Sequence, residues 1–121
     1  MKVIHVRNAA KYEPEKGWLR SSICDQETVS LEYFVKPPNH RSQLHSHPEE
    51  QVCVVIKGRM KVNGGAEEGH ILDPGDAAYF SSNEAHSVEN ILDQPSIGVD
   101  IFVPGRSFDF WARRRVGLKP S

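Results

Sequence analysis

Short runs rich in Val, Ile and aromatic residues alternate along this chain with clusters of Gly, Pro and Asn. That punctuation predicts strands, because β-branched residues favour the pleated backbone while Gly and Pro close tight turns. The expected strands are residues 2–6, 19–24, 28–35, 42–47, 51–57, 59–62, 67–72, 77–80, 85–91 and 96–103. Lys57-Gly58-Arg59 and Asn63-Gly64-Gly65 read as hairpin turns. Asp73-Pro74-Gly75-Asp76 reads as a turn in which Pro presets φ and Gly permits a positive φ. No amphipathic helix of ordinary length is evident, and one helical turn is expected around 108–114. Many short strands at close spacing predict an all-β sandwich or barrel. Period-2 alternation puts Gln51, Cys53 and Val55 on the inner face and Val52, Val54 and Ile56 on the outer one. The outer face is apolar too, so terminal strands or a second subunit should cover it, and a homodimer is the economical expectation.

Length and charge narrow the function classes. With 121 residues the chain makes one compact domain. A formal charge of −1 offers no global attraction to nucleic acid or an acidic membrane. The run Arg113-Arg114-Arg115 reads as a solvated tail, since nucleic-acid binding calls for a wider basic face. The last residues, 117–121, should fray. No apolar run approaches the roughly 20 residues needed to span a bilayer. The start, Met1 to Val6, lacks the apolar core of a signal peptide. Cys24 and Cys53 do not make a disulfide framework and are expected to be reduced core residues, which points to a cytoplasmic protein.

Candidate chemistry lies in three segments. His45 and His47, two apart on an extended segment, point the same way. Beyond Pro74-Gly75-Asp76, His86 can bring a third imidazole to the same point, and three histidines with one side-chain oxygen suit a divalent metal. His5, His40 and His70 lack such company and read as structural. Asp100 and Phe102 share a strand face further on. A carboxylate on an apolar inner face is costly unless paired or protonated, and a raised pKa there would suit a general acid or base. Arg106 follows a Pro-Gly turn; its planar fork suits a substrate carboxylate, or alternatively an ion pair with Asp100.

These residues carry a resemblance. His45-x-His47, then Gln51 and Gly58, is similar to the first motif of the cupins, which usually has Glu where Gln51 stands. Gly69, Pro74-Gly75-Asp76, His86 and Asn90 are similar to the second. The resemblance implies a small jelly-roll β-barrel as a single domain over 1–121, its core barrel at about 28–103, with the N-terminal strands and C-terminal extension packing outside. It implies one divalent metal (Ni, Zn, Fe or Mn) on His45, His47, Gln51 and His86. Glu49 or Glu50 would replace Gln51 only in another register, and Glu50 has the wrong parity. Neutral ligands alone leave the metal's charge uncompensated, which favours Lewis-acid work and an anionic substrate.

His45-Ser46-His47-Pro48-Glu49-Glu50-Gln51 looks more narrowly like the cupins that linearise unsaturated uronates in pectin and alginate breakdown. Asp100-Ile101-Phe102-Val103-Pro104-Gly105-Arg106 resembles that family's pocket segment, which implies catalytic roles for Asp100, Phe102 and Arg106. Gly105 and the aromatic stretch Phe108 to Trp111 depart from the family pattern. The implied function is a metal-dependent, non-redox isomerase or lyase acting on a small carboxylated, sugar-like substrate. The alternatives are an iron-dependent dioxygenase, a non-catalytic metabolite-binding cupin and a polyketide cyclase-type cupin.

Overall fold

The computed structural model describes residues 1–66 and 69–111. Among these, nine antiparallel strands form two sheets. They are β1 (Lys11–Glu15), β2 (Trp18–Asp25), β3 (Ser30–Lys36), β4 (Glu50–Lys57), β5 (Met60–Gly64), β6 (His70–Leu72), β7 (Ala77–Phe80), β8 (His86–Asn90) and β9 (Ser96–Val103). The larger sheet runs β1-β2-β3-β9-β4-β7 and the smaller β6-β5-β8, so neighbours in space are distant in sequence, as in a jelly roll. Between the sheets lie Phe34, Cys53, Val55, Met60, Val62, Leu72, Phe80 and Val88.

Burial alternates along the central strands as expected. On β4, Gln51, Cys53 and Val55 are buried, while Val52 and Val54 are half-buried and Ile56 is exposed. The turn after β4 places Gly58 at φ +89°, and a Cβ there would stand 2.2 Å from Ser96 Oγ. Neither cysteine is in a disulfide, and Cys53 is fully buried.

Three expectations change. Residues 2–6 form no strand; a 3₁₀ turn at Val6–Asn8 stands at their end. The first strand is instead β1, a charged segment with Pro14 at the sheet edge, where a proline's missing N–H removes no ladder bond. The N-terminal strands do not pack outside the barrel: β1 and β2 extend the larger sheet, and β2 turns Trp18 and Arg20 inward. Residues 42–47 run beside β8 with only isolated bridges, Arg41 to Glu89 and His45 to His86. There the Val88 N–H donates to Ser42 Oγ at 3.0 Å, so a side chain takes the place of a ladder carbonyl. The helical turn is present at 109–111; the rest of its expected span, the Arg113-Arg114-Arg115 run and residues 117–121 lie outside the described residues. No helix among the described residues is long and apolar enough to cross a membrane.

Candidate metal centre and ligand cavity

His45, His47 and His86 come together, their closest ring nitrogens all within 4.8 Å of one another. His86 opens β8 and its backbone exchanges hydrogen bonds with His45 at 2.9 and 3.0 Å, which fixes the two rings as neighbours. His47 is held by its carbonyl, which accepts from the Asn83 N–H at 2.8 Å. Phe80 stacks on His86 with centroids 4.1 Å apart and planes 6° from parallel. Gln51 points inward from β4, with Oε1 2.9 Å from His47 Nε2 and 3.0 Å from His86 Nε2. Glu50 instead bonds Tyr79 on the outside, and the Glu49 backbone carbonyl lies behind His47, so the alternative register is not adopted.

The tautomers follow from the partners. Each Nδ1 lies 2.8–3.0 Å from a backbone carbonyl, of Gln43, Glu49 and Glu84 respectively. A carbonyl only accepts, so each Nδ1 carries a proton and Nε2 is the nitrogen left to serve as a ligand. Burial, reinforced by the neighbouring imidazoles, holds the pKa of His45 and His86 below the usual histidine value, so both rings are neutral at pH 7. The Gln51 amide nitrogen donates to Asp100 Oδ1 at 2.9 Å, leaving its oxygen to face the rings. Three imidazole nitrogens and a carbonyl oxygen therefore converge on one point. This donor set fits a divalent metal. The backbone carbonyls behind the rings are the outer partners that metal-binding histidines need.

The structure rearranges the charges expected near Asp100. Asp100 does not pair with Arg106; its Oδ2 accepts from Arg20 Nη2 at 2.7 Å. Arg20 Nε also donates to Glu32 at 2.8 Å, and Arg106 Nη2 donates to Glu32 at 3.2 Å. Trp111 Nε1 donates to the same Glu32 at 2.8 Å. Burial alone would raise the Asp100 carboxyl, but the charge and hydrogen bond of Arg20, with the Gln51 amide, hold it below the usual range. Asp100 is thus ionised with both oxygens engaged, where a raised pKa was expected. Glu32 is held low in the same way by Arg20, Arg106 and Trp111.

A cavity of about 410 Å³ opens over the histidines. Asp100, Phe102 and Arg106 line it as expected, and Trp18, Phe110 and Trp111 add aromatic walls. The Arg106 guanidinium lies over Phe102, 4.0 Å from its centroid, and over Phe110 at 4.2 Å. Arg106 Nε and Trp18 Nε1 are buried donors without a hydrogen-bond partner among the described residues. Gly105 has its reason: a Cβ there would lie 1.8 Å from the Gln26 carbonyl oxygen. Sequence reasoning missed Arg20, Glu32 and Trp18. Their signal was a charge or large ring at inward parity on strands β2 and β3.

This arrangement defines a jelly-roll β fold in which a histidine triad could hold a metal ion beside a cavity. The chain belongs to the cupin family: a model described as the cupin domain matches residues 32–102. No curated protein matches the sequence. Among solved structures, KdgF from Halomonas sp. superposes with a TM-score of 0.80 at 20% identity, covering 88% of this chain and 96% of that one. An RmlC-like cupin from Shewanella frigidimarina gives 0.79 at 19% identity, covering 91% and 96%. TT1209 from Thermus thermophilus gives 0.72 at 23% identity, covering 86% and 98%. At these identities the likeness establishes the shared fold.

Proposed function

We propose that the protein is a metal-dependent, non-redox isomerase or lyase of a small carboxylated sugar, with linearisation of a 4,5-unsaturated uronate as the best candidate. The observation that carries this reading is the cluster of His45, His47, His86 and Gln51 facing a cavity that Arg106 and Phe102 also line. His45, His47, His86 and Gln51 would hold the metal, and nitrogen-rich ligation favours Ni, Zn or Fe over Mn by affinity. A bound dication supplies Lewis-acid polarisation of a substrate oxygen. Arg106, steadied by Glu32 and by the rings beneath it, lines the cavity as the group to bind the substrate carboxylate. Phe102 forms the apolar floor against which a sugar face packs. Opening the hemiacetal moves a proton from a hydroxyl to a ring carbon. Asp100 is poorly suited to carry that proton, because its low pKa and two engaged oxygens favour a permanent carboxylate.

The volume of about 410 Å³ suits a monosaccharide and excludes a polymer. Mixing metal-loaded protein with the unsaturated uronate and following loss of the conjugated alkene absorbance tests the reading. Acceleration over buffer that disappears in Arg106→Lys is expected; no acceleration by the wild type refutes the substrate. The aromatic walls Trp18, Phe110 and Trp111 favour a second reading, a cyclase-type cupin for a planar aromatic acid. That reading requires quenching of tryptophan fluorescence by aromatic acids and none by uronates. The apolar outer face of β4, with Ile56 and the neighbouring Tyr79 and Val103 exposed, is assigned to a second copy of the chain as a homodimer.

A further inference from the structure

Gln51 raises a question that charge alone does not answer. A glutamate at the same place would add a negative ligand to the metal centre and keep the same reach. The difference between the two side chains is the group they present on the far side of the carboxyl or amide carbon. In this protein that far side faces Asp100 Oδ1 at 2.9 Å. Asp100 in turn is held as a carboxylate by Arg20, whose Nη2 donates to Oδ2 at 2.7 Å and whose Nε is tied to Glu32. Asp100 is 5% exposed and Gln51 4%, so no bulk water stands between them.

Resting on the metal reading above, we propose that Asp100 is a positioning residue that dictates an amide as the fourth ligand. A buried carboxylate only accepts, so the group facing it must donate. The Gln51 NH₂ does so, and the rigid amide plane then turns Oε1 toward His47 and His86. Without Asp100 the amide has no reason to prefer this orientation, and the flipped amide would aim two N–H donors at the metal position. In Gln51→Glu, two carboxyl oxygens would meet at hydrogen-bond distance with no donor between them and would push apart. The introduced carboxyl would then lose the contact that orients the amide in the wild type. Ligand identity and Asp100 are therefore one unit, and the unit has a second self-consistent form. When Gln51→Glu is combined with Asp100→Asn, the new asparagine can accept from Arg20 through its oxygen. Its NH₂ can donate to the new glutamate, which restores every hydrogen bond with the polarity of one reversed.

Four proteins test this: the wild type, Asp100→Asn, Gln51→Glu and the double variant, titrated with Zn²⁺ in competition with a chromophoric chelator. Melting curves of the metal-free forms are recorded alongside. Asp100→Asn is expected to weaken Zn²⁺ binding at least tenfold and to melt lower. Gln51→Glu is expected to bind no tighter than the wild type. The double variant should bind at least tenfold tighter than Asp100→Asn and recover its melting temperature. Affinity changes that multiply independently, or an Asp100→Asn protein with wild-type affinity, overturn the proposal. If Asp100→Asn fails to fold, the double variant decides: folding with tighter Zn²⁺ binding than Gln51→Glu supports the unit, and failing to fold overturns it. A wild type that binds no Zn²⁺ overturns the metal reading instead, while recovery of melting temperature in the double variant still decides the Gln51–Asp100 pairing.

Discussion

Replacing Lys36 by methionine is expected to stabilise this protein, most strongly at pH 7 and below. Lys36 faces inward from β3 and is 2% exposed, with its ammonium 4.2 Å from the centroid of Trp18. No carboxylate forms an ion pair with it among the described residues. The interior charges around it already balance, Arg20 and Arg106 against Glu32 and Asp100. A charged Lys36 is therefore surplus. Burial, with the repulsion of Arg20, brings its pKa from 10.5 down to about 7, against smaller opposing effects of Asp100, Cys53 and Glu15. The unfolded chain keeps that proton up to about pH 10.5 and the folded one releases it near 7. Between those values the unfolded state binds more protons, so this group makes stability rise with pH. At about 1.4 kcal/mol per pH unit, the group costs the fold on the order of 3–5 kcal/mol at pH 7 and below. Methionine keeps the stem's packing on Trp18 and gives up a cation–π contact of about 1 kcal/mol, so a net gain of roughly 2–4 kcal/mol is expected. Urea unfolding of both proteins at pH 6, 7, 8 and 9 measures it. The gain should be largest at pH 6 to 7 and shrink toward pH 9. A variant less stable than the wild type at pH 6.5, or a gain that does not change with pH, refutes the reasoning.

Glu32→Gln removes the anion shared by Arg20, Arg106 and Trp111 and should cost about 3–5 kcal/mol in chemical denaturation, because two buried cations lose their common partner. Gly105→Ala drives a methyl into the Gln26 carbonyl and should cost about 1–3 kcal/mol by overpacking. It should also weaken uronate binding by displacing Arg106, whose N–H is tied to Ser30 Oγ at 2.8 Å. Val52→Lys, on the half-buried outer face of β4, should shift light-scattering mass from dimer to monomer without lowering metal content.

Much of the wall and of the ligand set was legible because both depend on local period. Strands 77–80 and 96–103 are bounded by turn residues and have the expected limits. The inward parity of Gln51 and the pairing of His45 with His47 need only alternation along one segment. The failures involve partners far away in sequence. Residues 2–6 are apolar enough for a strand yet find no neighbour, while β1 is too charged to announce itself and exists because β2 pairs with it. Whether Asp100 is paired or protonated is not legible locally, because its partner Arg20 stands eighty residues earlier. Arg106 likewise reaches Glu32, on the strand beside β9, rather than Asp100.

The central claim is that His45, His47, Gln51 and His86 form one metal site. Metal analysis of protein purified without an affinity resin, and of His86→Ala prepared in the same way, tests it most directly. The expected result is about one divalent ion per chain in the wild type, lost from the variant, with restoration of stoichiometric binding when stripped wild type is given Ni²⁺, Zn²⁺ or Fe²⁺. A wild type that stays metal-free after incubation with each of these ions, or a His86→Ala protein with undiminished metal content, would contradict it.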